Sequence, residues 1–350
     1  MPRALILGGT GLVGRAAARR LLAAGWQVDV TGRNPAHLPS EIAAAGARFL
    51  AADRADADQL RAALGDGTDL LVDCICYTAA DARLVVPLAK TSTSTVLISS
   101  RAVYVDADGN HSNSDVPPRF DGPVPETQPT LAPGDMDYRS REGYGPNKVA
   151  AEQVALDSGL PITVVRPSRV HGVGAAPARE WVFVKRALDR RGAVLLAHRG
   201  TGIVHPTAAA NIAALIETAA GTPGARILNC ADPDAPSALE ISRIIARHLK
   251  HAWDEVLLDE TASASASDSL GQTPWDSPHP VVLDTSAAED LGYRPAGDYA
   301  ATVAAEIDWL ADAARTGDPA GILPKADDPY FTRFFDYAAE DKFLAGDGPF

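Results

Sequence analysis

Tyr144 and Lys148 stand four residues apart in the stretch EGYGPNKVAAEQ, residues 142–153. On a helix that spacing puts a phenol and an ammonium on one face. Such a pair can handle a proton: a free phenol titrates near ~10, and a neighbouring positive charge favours the phenolate. The same spacing also describes two ordinary side chains at a frayed helix start, so the rest of the chain must decide. Pro146 does not argue against a helix, because a proline is tolerated in the first turn, where its missing N–H would be unpaired anyway.

A second group with chemical meaning is LGGTGLVGR, which sets Gly8, Gly11 and Gly14 between a short apolar run and a helical stretch. Gly8 permits a tight turn, Gly11 lets backbone approach a pyrophosphate, and Gly14 lets the helix pack closely on the strand. The helix start, from Thr10 through Leu12 and Val13, then offers free N–H groups to the phosphates. A dinucleotide with a free ribose 2′-OH usually meets a carboxylate at the end of the second strand. Here that strand ends VTGRNP, with Arg33 and no carboxylate, while Asp29 lies mid-strand. A guanidinium there suits a 2′-phosphate, so NADP(H) is expected over NAD(H); stacking of Arg33 on the adenine stays open. Asp53, in LAADRAD, either accepts from the adenine amino group or caps the helix that follows. Arg54 and Cys74 are counted with the cofactor-binding residues.

These groups need elements to hold them. The runs RALIL (3–7), QVDVT (27–31), ARFLAA (47–52), DLLVDCI (69–75), TVLISS (95–100) and ITVVRP (162–167) read as strands, with helices at 12–24 and 56–64 and one carrying Lys148. Nearly continuous apolar strands alternating with helices imply a Rossmann-type doubly wound parallel α/β sheet covered on both faces. The expected division is a dinucleotide-binding domain over 1–167, a smaller interleaved α/β substrate-binding portion over 168–325, and an aromatic, acidic tail over 326–350. Residues 105–140, crowded with Asp, Gly, Pro, Asn and Ser, read as a long loop on the substrate side. Helices are expected near 178–191, 208–220, 238–250 and 298–314, and a surface loop over 261–280. In the tail, Tyr330, Phe331, Phe334 and Phe335 are expected to dock on the body.

The chain has 350 residues and a formal charge of −13, and such a surface repels phosphate backbones, so no nucleic-acid partner is expected. Its three cysteines, Cys74, Cys76 and Cys230, form no Cys-x-x-Cys pair and no Cys/His cluster with ligand spacing, so neither disulfide nor metal is expected. No signal segment and no apolar run of ~18 residues stands out, which points to a cytoplasmic protein without a membrane partner.

Taken in order, GGTGLVG (8–14), ADRAD (52–56), ISSRAVY (98–104), YGPNK (144–148), VVRPSRVHG (164–172), VHPTAAANIA (204–213), ILNCADP (227–233) and LGYRP (291–295) resemble the short-chain dehydrogenases/reductases. The likeness is to their extended and atypical members, grouped with the NAD-dependent epimerases/dehydratases. It implies that Ser100 holds the substrate oxygen, Tyr144 is the acid/base and Lys148 its helper. It also places Arg166 and Pro167 near the nicotinamide amide. Tyr77, Arg101, Arg169 and His171 are the expected substrate-side residues, with a structural role for His171 left open. Where the dehydratases of this group carry Thr-Asp-Glu, this chain has Ser100-Arg101-Ala102, which argues against elimination of water. The implied activity is a reductase or epimerase acting on a hydroxyl or ketone carbon of a sugar nucleotide or related small metabolite, with a homodimer as the expected assembly. The alternative is a non-catalytic member, RNA-associated or regulatory.

Overall fold

The computed structural model describes residues 1–259, 270–325 and 327–346. Residues 260–269, which include the first nine of the expected 261–280 loop, together with Ala326 and residues 347–350 of the tail, lie outside them. The strands are β1 (Arg3–Leu7), β2 (Gln27–Gly32), β3 (Arg48–Ala51), β4 (Thr68–Asp73), β5 (Ser92–Ile98), β6 (Ile162–Pro167), β7 (Arg169–His171), β8 (Ala193–Leu196), β9 (Pro206–Ala208), β10 (Arg226–Cys230) and β11 (Asp254–Leu257). Seven of them form one sheet in the order β10-β6-β5-β4-β1-β2-β3, parallel throughout.

Alternate residues of the strands feed opposite faces, which is why the runs are apolar at nearly every position. Ile6, Val28, Val72 and Val96 pack with Ala17, Ala18 and Leu21 of α1 (Leu12–Ala23) and Ile212, Leu215 and Ile216 of the helix Ala209–Gly221. Leu5, Leu7 and Leu71 face the other way, against Leu60 and Leu64 of the helix Ala57–Leu64 and Val85 and Leu88 of the helix Ala79–Ala89. Leu97 and Ile162 extend that face onto Ala151 and Ala155 of the helix Tyr144–Asp157. Strand order reverses between β1 and β4, so a crevice opens there beyond the carboxyl ends of the strands.

The chain divides into two compact units. The first comprises 1–170, 207–232 and 283–296, and so recovers β10 for the sheet; the second comprises 171–206, 233–282 and 297–350. The second unit pairs β8 with β11 in parallel. Its core joins Val182 and Phe183, Ile241 and Ile245, Val303, Ile307 and Leu310, Trp275, and Phe331 and Phe334 of the tail. Among the described residues, no helix is long and apolar enough to cross a membrane.

Candidate active site

Helix Tyr144–Asp157 starts at Gly143 without a side-chain cap. Its entry is set by Ser140, whose Oγ accepts from Gly143 N at 2.9 Å and whose carbonyl accepts from Tyr144 N at 3.2 Å. Gly145 is needed here, because a Cβ would lie 2.5 Å from Leu131 Cδ1 and 2.9 Å from Ala102 O. The missing side chain lets the first turn sit directly against the segment that follows β5. Pro146 falls in that first turn, where it removes no helical hydrogen bond.

One turn further, Lys148 is 2% exposed. Its Nζ donates to Cys76 O at 2.7 Å and to Ile98 O at 3.0 Å, carbonyls just past β4 and at the end of β5. It lies 4.5 Å from the Tyr77 ring centroid and 5.9 Å from that of Tyr144, so the ammonium sits among two aromatic rings. Tyr77 stacks on Tyr138 with centroids 5.1 Å apart and planes at 19°. Burial, with Tyr144 and Tyr138 nearby, pushes the Tyr77 phenol up, so it stays protonated and acts as a wall.

Ser100 begins a short 3-10 turn, Arg101–Val103, and its Oγ accepts from Ala102 N at 3.1 Å. A hydroxyl that accepts from backbone keeps its own O–H to donate outward. Arg101 donates to Ser112 Oγ at 3.0 Å. The same loop holds the segment before the helix: Asn113 donates to Arg141 O, and Arg141 donates to Ser114 O and Asp115. Tyr77, Asn113, Tyr138, Arg139, Arg141 and Tyr144 thereby line a cleft of about 530 Å³. Of these, Asn113, Tyr138, Arg139 and Arg141 have no period or motif that would reveal them in the sequence.

The glycine turn leads directly into the uncapped start of α1. Gly8 has φ +78°, and a Cβ at Gly14 would lie 2.4 Å from Gly8 O, so both positions require glycine. Gly11 is the N-cap of α1 and no side chain caps that helix, which leaves the N–H groups around Leu12 and Val13 for a ligand. Thr10 is half-buried beside them. Arg33 is exposed just past β2. Asp53 accepts from Ala55 N at 3.0 Å in a local turn, and Asp56, not Asp53, caps the next helix.

Other expected cofactor residues are held by the protein itself. Arg54 donates to Asp73 at 2.6 Å and to Asp81 O at 2.9 Å. Cys74 N donates to Leu7 O at 3.1 Å, and burial together with Asp73 pushes the thiol up, so its sulfur is an apolar surface. Arg166 is clamped by both oxygens of Glu152 and stacks over Tyr104 at 4.8 Å. Pro167 is buried at the end of β6 and Arg169 is half-buried in β7. His171 lies in the second unit, 2% exposed, with its ring 5.0 Å from that of Tyr299.

Comparison with curated protein sequences gave no match. Among solved structures the chain is similar to a dTDP-glucose 4,6-dehydratase from Bacillus anthracis str. Ames in complex with NAD, at 14% identity and TM-score 0.66, covering 90% of this chain and 98% of that one. A UDP-N-acetylglucosamine 4-epimerase from Bacillus cereus matches at 16% identity and TM-score 0.66, over 89% of this chain and 100% of that one. A putative epimerase from Burkholderia cenocepacia J2315 matches at 22% identity and TM-score 0.66, over 90% and 98%. At these identities the likeness speaks for the fold. The family model for the NAD dependent epimerase/dehydratase family matches residues 4–230, and the chain belongs to that family.

Proposed function

We propose that this chain transfers hydride at a hydroxyl or ketone carbon of a sugar nucleotide or related small metabolite, as a reductase or epimerase. The observation that carries this reading is Tyr144 at the cleft with the buried Lys148 ammonium behind it, 5.9 Å from its ring centroid and held by carbonyls just past β4 and at the end of β5. A nicotinamide dinucleotide, when bound, supplies or accepts the hydride. Gly8, Thr10, Gly11, Leu12, Val13 and Gly14 would hold its pyrophosphate, with Arg33, Asp53, Arg54, Cys74, Lys148, Arg166 and Pro167 along the rest of its length.

Tyr144 takes the proton of the substrate hydroxyl on oxidation and returns it on reduction. Ser100 donates its free O–H to the same substrate oxygen and holds it in place. Lys148 keeps positive charge beside the Tyr144 ring. Tyr77 and Tyr138 offer an aromatic face, and Arg101 and Arg169 are assigned to the substrate side. Arg101 and Ala102 stand where a dehydratase needs an acid and a base, so water elimination is not part of the proposal. Residues 168–325 are assigned mainly to substrate binding. His171 is left out of the substrate set, because its ring is packed against Tyr299 in the second unit.

Arg33, exposed and without a hydrogen bond or ion pair among the described residues, favours NADP(H). Titrating the purified protein with NADPH and NADH, followed by nicotinamide fluorescence, tests this: tighter NADPH binding that Arg33→Ala abolishes is expected, and tighter NADH binding overturns it. For the chemistry, Tyr144→Phe is expected to lower turnover of UDP-glucose, UDP-N-acetylglucosamine or a copurified metabolite by about 10²–10⁴-fold, while nicotinamide binding survives. Undiminished turnover in that variant sinks the mechanism.

A further inference from the structure

The second unit buries a group of side chains that hydride transfer does not use. His171, at the end of β7, is 2% exposed; Glu180, at the start of the helix Trp181–Leu188, is 3% exposed; Glu306, on the helix Tyr299–Thr316, is 0% exposed. One ligand atom from each lies within 4.8 Å of the others, and His171 Nδ1 is 3.9 Å from Glu306 Oε2. Two carboxyl groups in a dry interior are costly unless a proton or a cation neutralises them.

Only part of that need is met by hydrogen bonds. Gly172 N donates to Glu306 Oε2 at 2.6 Å, and the Tyr299 hydroxyl donates to Glu180 at 3.3 Å. Glu306 Oε1, fully buried, receives no hydrogen bond. The protein therefore gathers three ligating side chains from distant segments in a place where aliphatic residues would be cheaper to bury.

We propose that His171, Glu180 and Glu306 supply three ligands of a zinc site, with a water as the fourth. One imidazole and two carboxylates are borderline-hard donors that suit zinc. Metal–ligand bonds of ~2.0–2.2 Å at tetrahedral angles put ligand atoms ~3.4 Å apart, which a small contraction of the observed group achieves. Two negative carboxylates balance a divalent ion with a neutral imidazole. The Tyr299 hydroxyl, donating to Glu180, orients that ligand from outside the group. The ion would tie the turn after β7 to the start of one helix and the middle of another. Residues 171, 180 and 306 are too far apart in the chain for any spacing rule to join them.

The test uses the full chain, expressed without an affinity tag. Elemental analysis is expected to find close to one zinc per chain. Dipicolinate should lower the melting temperature and added zinc should restore it. His171→Gln and Glu306→Gln should each lose the bound zinc, with native far-ultraviolet circular dichroism and a single cooperative unfolding transition retained as evidence of folding. Absence of stoichiometric zinc, no uptake on titration, and a Glu306→Gln variant as stable as the native chain would together overturn the site in favour of a proton shared by the two carboxyl groups. Zinc retained undiminished in both variants would also overturn it, by locating the metal elsewhere.

Discussion

The Lys148 ammonium satisfies two backbone carbonyls, Cys76 O and Ile98 O, in a place closed to water. Removing it leaves two buried acceptors without donors, at a cost of about 1–3 kcal/mol each. Tyr144, by contrast, sits half-buried at the rim of the cleft, and its hydroxyl oxygen is not needed to complete the core. Urea denaturation should therefore separate the two residues that the proposed chemistry couples. Lys148→Met is expected to lose about 2–5 kcal/mol of stability, and Tyr144→Phe to stay within about 0.5 kcal/mol of the native chain. Equal stability losses would mean that the ammonium is not anchored as described. Lys148→Arg is not a rescue, since a planar guanidinium cannot occupy the space of a compact ammonium between two carbonyls.

Among the elements, β2 carries a carboxylate that the cofactor reading sets aside, because it lies mid-strand. Asp29 is 5% exposed and accepts from Arg3 at 2.8 Å and from Arg48 at 2.7 and 2.8 Å. Burial alone would raise its carboxyl, but the bonds from Arg48 and Arg3 win and hold it below the usual range. A folded value below the unfolded ~3.9 means the stabilisation is complete above that pH and is lost as pH falls through the folded value. Asp29→Asn should cost about 1–3 kcal/mol at pH 7 and flatten the stability profile below pH ~4, measured by denaturant midpoints across pH. An unchanged acid profile would place the pair outside the folding balance.

The elements were legible in the sequence where a signal was local. Strand β1 at 3–7 and β6 at 162–167 are bounded by glycine and proline, and their edges coincide with the expected ones. Helix Ala79–Ala89 went unread because Leu84, Val85 and Val86 run together and Pro87 lies inside it, although Thr78 and Asp81 form a capping box that announces its start. Tyr144 and Lys148 were legible through helical spacing. Tyr138 and Arg139 were not, since a loop wall has no period, and the partnership of Arg54 with Asp73 is a tertiary fact that joins the ends of two strands.

Across the whole molecule, the glycine turn, the carboxyl ends of β1, β4 and β5, and the Tyr144 helix all belong to the first unit. The second unit is closed by its own tail. Phe331 and Phe334 are 2% exposed, and Arg186, buried in a helix of that unit, donates to Glu340 at 2.6 Å and to Phe334 O at 2.5 Å. Arg191 adds contacts to Glu340 and Asp341. Removing one member of a buried ion pair costs about 3–5 kcal/mol, because its partner is left charged and dry. Glu340→Ala should therefore expose the tail to limited proteolysis and speed amide exchange in the peptides around 182–187. If nicotinamide recognition resides in the first unit, the same variant should bind NADH within twofold of the native chain, and NADH should still slow exchange over 8–14 and 74–78. Saturation at ~100 times Kd adds about 2.7 kcal/mol to whatever unit holds the ligand, enough to be seen in exchange. Loss of NADH affinity in Glu340→Ala, with protection lost over 8–14, would show instead that the tail's anchorage reaches the cofactor site.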